Sequence, residues 1–424
     1  MLNELRYREK IGEPIRIGLV GAGSMGLGIA WQIAKTPGME LSFIADINPA
    51  AAEKAQSVYG KSVQLFSNAD HALDNPKIDF DVIVESTNTI SSAARYCLKA
   101  IHRKAHVILM NAEIDLILGH YLQHEANQHG VIVTSDAGDQ HGVLMRMIEE
   151  IELWGFEITQ AGNIKGFLDR YATSETKKEI AKKLHLNLIQ CVAYTDGTKL
   201  NIEMALIANA ANLIPFVPGM QGPKAANVLE ALDLFNFDAY QGKGRVDYLL
   251  EANPGGGVYV IGRCEDRFQE EYLKYYKVNS RYPYYLFYRP YHLCHLETPR
   301  AIALAALWNK PVLTPKFGRL TDVFAYAKQP LLQGEIFHHG IGGDFTYGLI
   351  HEAANHTDYL PIGLLDSESN ASRPRLLRNL GKDEPICWDD VELAESELLK
   401  LYNAQEKLLN ATQHTSEMPH LISE

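Results

Sequence analysis

The stretch "IRIGLVGAGSMGLGIAWQIA", residues 15–34, decides how the rest of the chain is read. An apolar run ends in Gly21, Gly23 and Gly26, and a second apolar stretch with helical spacing follows over 25–35. The spacing predicts a strand buried on both faces, a tight turn and a helix. A bare G-x-G-x-x-G is a weak signal, because short glycine patterns arise by chance. The context strengthens it: Asp46 stands twenty residues after Gly26, at the end of the next apolar run, 41–45. Gly21 would permit the turn, Gly23 would let a pyrophosphate approach the backbone, and Gly26 would let the helix pack on the strand. Free N–H groups at the helix start, around Ser24 and Met25, would hold the phosphates with the positive end of the helix dipole.

Asp46 narrows the expected cofactor. A carboxylate at the end of the second strand accepts hydrogen bonds from ribose hydroxyls and repels a 2′-phosphate. Ile47, Asn48 and Pro49 offer no cation to welcome that phosphate. NAD is expected, with NADP as the alternative; the other role open to Asp46 is a cap for the helix at Pro49.

Outward from this unit the strand–helix alternation continues. Further strands are predicted at 63–66, 80–84, 107–110 and 131–134, with helices at 50–59, 91–104 and 117–128. Such alternation implies right-handed βαβ units and a doubly wound sheet. The loops Ser86-Thr87-Asn88 and Asn111-Ala112-Glu113 follow the fourth and fifth strands, where they either complete the cofactor site or are ordinary polar loops.

Composition sets the limits. A chain of 424 residues is too long for one ordinary domain, and 46% hydrophobic with 22% charged residues describes a globular protein with ample core. A formal charge of −12 argues against non-specific nucleic-acid or anionic-membrane binding. No apolar run reaches the ~18–20 residues of a membrane span, and the charged start MLNELRYREKIGEP lacks a secretory apolar segment. Five cysteines without a CxxC suggest neither disulfides nor a structural zinc site. A cytoplasmic chain is expected.

The middle of the chain carries polar groups in apolar surroundings. Lys165 sits just past a predicted strand, either as an anion anchor or proton donor, or as a solvated loop residue. Asp196-Gly197 reads as a hairpin signal before an apolar helical stretch. In that stretch Glu203 lies among apolar neighbours, as an acid/base group or as half of a structural ion pair. "RYPYYLFYRPYHLCHLETP", 281–299, interleaves aromatics with Arg289, His292, Cys294 and His295. Single-stranded nucleic acid and a dedicated metal site are both weaker readings of it than a small polar substrate. After Pro315, short runs bounded by Gly, Pro, Asn and Asp give a β pattern, followed by a charged helix at 392–409 and a frayed tail over the last dozen residues.

Three motifs together resemble the homoserine-dehydrogenase-like oxidoreductases that carry a C-terminal SAF-type domain: EPIRIGLVGAGSMG, MNAEID (110–115) and RPYHLCHLETP (289–299). GDQHGVLMRMIE, 138–149, and the β-rich tail are similar as well. The resemblance implies a Rossmann doubly wound domain at 1–155, a central α/β catalytic domain at 156–315, a β-rich SAF-type, β-clip-like domain at 316–395, and a terminal helix and tail at 396–424. It also implies an NAD(P)-dependent oxidoreductase. That family includes deoxyxylulose-phosphate reductoisomerase-like enzymes, which are NADPH-linked; Asp46 departs from their basic pattern and points to an NAD-linked relative. SAF-type tails are associated with carbohydrate-like ligands, so the expected substrate is a sugar acid, polyol or sugar phosphate.

The expected reaction is hydride transfer to or from a small polyhydroxy carbonyl compound. Arg289 and Lys224 are the expected anion clamps, and Lys165 and His292 the proton-transfer groups, with Glu203 orienting one of them. The alternatives are an oxidoisomerase, which alone would call for a divalent metal, and a non-catalytic dinucleotide sensor. A homo-oligomer without nucleic-acid or membrane partners is expected.

Overall fold

The computed structural model of the chain describes residues 1–184 and 186–416. Six parallel strands form the first sheet: β1 (Ile15–Val20), β2 (Met39–Ala45), β3 (Gln64–Phe66), β4 (Val82–Glu85), β5 (His106–Leu109) and β6 (Val133–Ser135). Their order is β3-β2-β1-β4-β5-β6, the doubly wound arrangement that the alternation implies. The order reverses between β1 and β4, which opens a crevice at the carboxyl ends of those strands.

One boundary is corrected. The helix expected from 117 begins at Ala112 and runs to His129, because Asn111 caps it and its Oδ1 accepts the Ile114 N–H at 3.3 Å. Asn111 and Glu113 are therefore a cap and a first-turn residue rather than a loop.

A second, mixed sheet follows, made of β7 (Glu157–Lys165), β8 (Ile214–Pro215), β9 (Arg245–Leu250), β10 (Val258–Arg263), β11 (Asn279–Arg281) and β12 (Tyr284–Arg289). Its order is β11-β12-β10-β7-β9-β8, with β7 parallel to β9 and antiparallel to β10. The expected hairpin at Asp196-Gly197 is a helix–helix turn, joining Leu188–Thr195 to Thr198–Ala211. Gly197 supplies a φ of +87° there, and Asp196 Oδ1 accepts the Thr198 N–H at 2.8 Å. Asp-Gly offers positive φ to either kind of turn; the helical periodicity on both sides selects this one.

The helix Cys294–Trp308 returns to the first domain. Its Ala301, Ile302, Ala303 and Ala305 share a core with Ile17, Leu19, Ile29 and Ile33. Close approach at its start depends on a glycine: a Cβ on Gly138 would lie 2.1 Å from the Cys294 carbonyl oxygen.

The β-rich region contains two small antiparallel ladders, β13 (Thr321–Ala327) with β14 (Thr346–Glu352) and β15 (Arg375–Leu376) with β16 (Val391–Glu392). Val323, Ile350, Leu360 and Ile386 belong to the same hydrophobic cluster as Ile202, Leu206 and Val260 of the central region. Three side chains of the helix Thr198–Ala211 also hold the first ladder: Thr198 accepts from Gly348 N at 2.9 Å, Asn201 from Ile350 N at 2.9 Å and Asn209 from Thr321 N at 2.8 Å. At ~100° per residue these three share one side of the helix. Lys199 and Glu203, four apart, lie together on another.

The last helix runs Glu397–Ser416, starting later than 392 because Val391–Glu392 is strand. It docks on the helix Ala112–His129, where Gln405 Nε2 donates to Ile117 O at 2.8 Å. The part of the expected tail at 417–424 lies outside the described residues. No described helix is long and apolar enough to cross a membrane.

Candidate active site

The glycine turn has the geometry of a phosphate cradle. Gly21 has a φ of +92°, and a Cβ there would press the Ser86–Thr87 backbone at 2.7–2.8 Å. A Cβ on Gly26 would lie 2.0 Å from Gly21 O, which is the close strand–helix approach. A Cβ on Gly23 would meet nothing within 4 Å. Gly23 caps the helix Ser24–Lys35 without a side chain, and Gly23 and Ser24 are exposed. Open space stands above uncapped helical N–H groups, where a pyrophosphate fits. The residues present therefore fit a dinucleotide.

The neighbouring side chains brace this turn. Ser86 Oγ donates to Val20 O at 3.0 Å and to Gly21 O at 2.8 Å. Asp46 Oδ2 accepts the Ala22 N–H at 2.6 Å and Oδ1 accepts the Asn48 N–H at 2.8 Å. The helix at Pro49 is capped by Asn48, so capping is not the task of Asp46. Ile47 is 86% exposed beside it, and the adjoining Asn48 and Pro49 are uncharged. Thr87 binds Glu85 through both its N–H and its hydroxyl. Burial pushes the Glu85 carboxyl up to about 7, against the opposing hydrogen bonds of Thr87 and Asn111. Asn111 Nδ2 donates to Thr89 O at 2.7 Å. Asn88 is exposed at the rim.

At the carboxyl end of β7 the chain gathers a buried polar cluster. Lys165 Nζ donates to Gln140 Oε1 at 2.8 Å and lies 3.6 Å from Glu203 Oε2. Asn163 Nδ2 bridges the same two acceptors, at 2.7 Å to Gln140 and 3.3 Å to Glu203. Lys199 Nζ lies 3.4 Å from Glu113 Oε1, which ties this cluster to the end of β5. Burial works against the Lys199 charge, but Glu113, Asp139 and Glu203 hold its pKa above the ordinary value. Burial likewise opposes an ionised Asp139, yet His141, Lys199 and His292 bring it down to about 2. His141 is buried, and neither ring nitrogen has a hydrogen-bond partner among the described residues. His292 Nδ1 stands 3.3 Å from Gly138 O and 3.5 Å from Cys294 Sγ.

Of the residues expected from sequence, Lys165, Glu203, His292 and Glu113 thus converge. Lys224 does not enter the cluster: it bridges to the end of β9, exposed at the rim, and pairs with Glu251 at 2.7 Å. The fork of Arg289 is occupied by Glu297, with nitrogen–oxygen distances of 3.0 and 2.9 Å, and Arg146 approaches the same carboxylate at 3.5 Å. Asp139, Gln140, His141, Asn163, Lys199 and Cys294 were not expected as site residues. Cys294 figures in the sequence only within the weaker metal reading of 281–299, and Asp139, Gln140 and His141 only within GDQHGVLMRMIE; Lys199 left a trace in its spacing of four from Glu203 in a helical stretch.

Residues 15–110 match the family described as "Oxidoreductase family, NAD-binding Rossmann fold" (GFO/IDH/MocA). Residues 138–298 match "Oxidoreductase DRL, catalytic domain", a span holding every member of the polar cluster except Glu113. The chain is thus similar to an NAD-binding oxidoreductase domain over 15–110 and to an oxidoreductase catalytic domain over 138–298. The homoserine dehydrogenase of Bacillus subtilis (strain 168) is a distant homologue, 24% identical over 148 residues. That match covers 32% of this chain and only about a third (33%) of the relative's length. Among solved structures, GenD2 from gentamicin A biosynthesis, in complex with NAD, is 12% identical with a TM-score of 0.41, covering 72% of this chain and 90% of that one. A myo-inositol dehydrogenase from Corynebacterium glutamicum is 14% identical with a TM-score of 0.38, covering 59% and 72%.

Proposed function

We propose that this oxidoreductase interconverts a secondary alcohol and a carbonyl on a small polyhydroxylated or anionic substrate, with NAD favoured over NADP. The observation that carries the reading is Lys165, buried at the end of β7 between Gln140 and Glu203. A bound nicotinamide supplies the hydride acceptor or donor. In the reducing direction the Lys165 ammonium donates a proton to the carbonyl oxygen as hydride arrives at carbon; in the oxidising direction the neutral amine takes the hydroxyl proton and becomes the ammonium. Glu203, Gln140 and Asn163 hold the Lys165 ammonium in place, and Lys199 with Glu113 offers a second donor–acceptor pair to a neighbouring substrate hydroxyl or carboxylate. Alternating donors and acceptors in a dry site suit several hydroxyls better than one apolar group. The NAD preference rests on Asp46, whose carboxylate faces the glycine turn and is followed in sequence by the uncharged Ile47, Asn48 and Pro49.

The SAF-type assignment of the tail enters this reading only as support for a carbohydrate-like substrate. The ladder β13–β14 supports a second role, since it grips the helix that carries Lys199 and Glu203. The test is a dehydrogenase screen over sugar acids, polyols and sugar phosphates, following reduced-nicotinamide absorbance with wild type and Lys165→Met. Turnover that needs Lys165 supports the reading. Undiminished kcat/KM in the variant rejects the role given to Lys165.

A further inference from the structure

Two segments far apart in sequence meet beside Lys165 with metal-ligating side chains. Asp139 caps the helix Gln140–Leu153, and His292 and Cys294 lie where the chain leaves β12 and enters the helix Cys294–Trp308. One ligand atom from each of the three lies within 4.8 Å of the others. The Cys294 Sγ to His292 Nδ1 separation is 3.5 Å. Two ligands of one tetrahedral zinc, with Zn–S ~2.3 Å and Zn–N ~2.0 Å, stand about 3.5 Å apart. The convergence is built into the backbone, since only a residue without a Cβ at 138 lets Cys294 come this close. One Asp139 oxygen accepts the Gln140 N–H at 2.9 Å, an outer hydrogen bond that aims the carboxylate while leaving it a second oxygen.

We propose that Asp139, His292 and Cys294 bind a single zinc ion, tetrahedral, with the fourth position open to water or substrate. A thiolate, an imidazole and a carboxylate together select zinc over magnesium or calcium, which take all-oxygen sets. Three protein ligands and one open position are the mark of a catalytic rather than a structural site. His292 gives up its weak contact with Gly138 O to coordinate, and Cys294 loses its proton on binding. On the functional reading given above, the ion would take the substrate oxygen and polarise the carbon–oxygen bond, while Lys165 moves the proton. Zinc binding itself does not depend on that reading.

The experiment measures binding and not turnover. Purified full-length protein is stripped with chelator, dialysed against zinc, and assayed for bound metal. In parallel it is loaded with cobalt(II), whose thiolate complexes show a charge-transfer band. One equivalent of zinc and a cobalt–thiolate band are expected in the wild type. In Cys294→Ser the band should vanish and zinc affinity fall at least tenfold, with NAD(H) binding retained as the check on folding. Should Cys294→Ser fail that check, Asp139→Asn serves in its place, since asparagine keeps the helix cap; zinc competition against a chromogenic chelator should show the same loss. No stoichiometric zinc in the wild type overturns the proposal, as does an unchanged band in Cys294→Ser or an unchanged affinity in Asp139→Asn. Zinc binding without turnover on any substrate would count against the functional reading alone.

Discussion

The Lys165 ammonium faces the Glu203 carboxylate at 3.6 Å, with only 4% of either side chain exposed. The pair joins the last residue of β7 to the helix Thr198–Ala211, and Gln140 completes the ammonium's shell from a third element. Neither charge is tolerable there without the other.

Lys165→Met should lower kcat by about 10²–10⁴-fold, the range of a lost proton-transfer group, and leave NAD(H) affinity unchanged. Glu203→Gln should destabilise the fold by roughly 3 kcal/mol, because it strands a buried ammonium. The double variant should recover part of that loss, which urea denaturation of all four proteins would measure. Strictly additive losses would show that the two groups do not interact.

Two glycines of the same turn should behave differently. Gly23→Val should abolish NAD(H) binding with little change in melting temperature, since its side chain enters open space that the pyrophosphate needs. Gly26→Val should damage both, because its Cβ meets the Gly21 carbonyl at 2.0 Å. Calorimetric titration and thermal melts separate the cases; unchanged NAD(H) affinity in Gly23→Val would remove the cradle.

Wild type should bind NAD(H) more tightly than NADP(H). Combining Asp46→Ser with Ile47→Arg should shift the preference tenfold or more toward NADP(H), about 1.4 kcal/mol per tenfold. The structure adds a second effect: the Ala22 N–H loses its carboxylate acceptor, so affinity for NAD(H) should also fall. A wild type that already prefers NADPH would defeat this account of Asp46.

Arg289→Lys should act on stability before kinetics, because an ammonium cannot reproduce the two-pronged contact with Glu297. A loss of about 1 kcal/mol with KM within twofold of wild type is expected. A large rise in KM at unchanged stability would return Arg289 to the role of anion clamp.

Glu85 should make stability pH-dependent. Its folded pKa of about 7 exceeds the ordinary carboxyl value, so the folded state keeps a proton that the unfolded chain releases. Its contribution is fully present below the unfolded pKa and is lost as pH rises toward and through about 7, on the order of 3 kcal/mol in all. Glu85→Gln should therefore gain on wild type between pH 5 and pH 8 in denaturant titrations. Parallel pH curves would show that Glu85 is already ionised in the fold.

The first sheet was legible because its determinants are local. Apolar runs of strand length, glycines at fixed spacing and an acid at the next strand end all act within about thirty residues. The sequence by itself thus determined the Rossmann unit, its alternating strands and helices, and the glycine turn between its first strand and helix. It misplaced the start of the helix Ala112–His129, since Asn111 reads equally well as loop or cap until a partner N–H is in view. It also put Arg289 and Lys224 on an anion, because a charge in sequence does not show which neighbour neutralises it; Glu297 and Glu251 do so in space. The buried polar cluster was decided by tertiary structure alone. Asp139, Lys165, Lys199 and His292 come from four segments spread over more than 150 residues, and none is near another until β7 pairs with β9 and β10 and the helix Cys294–Trp308 seats against Gly138. Periodicity records which face of an element is buried; which polar groups end up sharing that burial depends on long-range packing that no local pattern encodes.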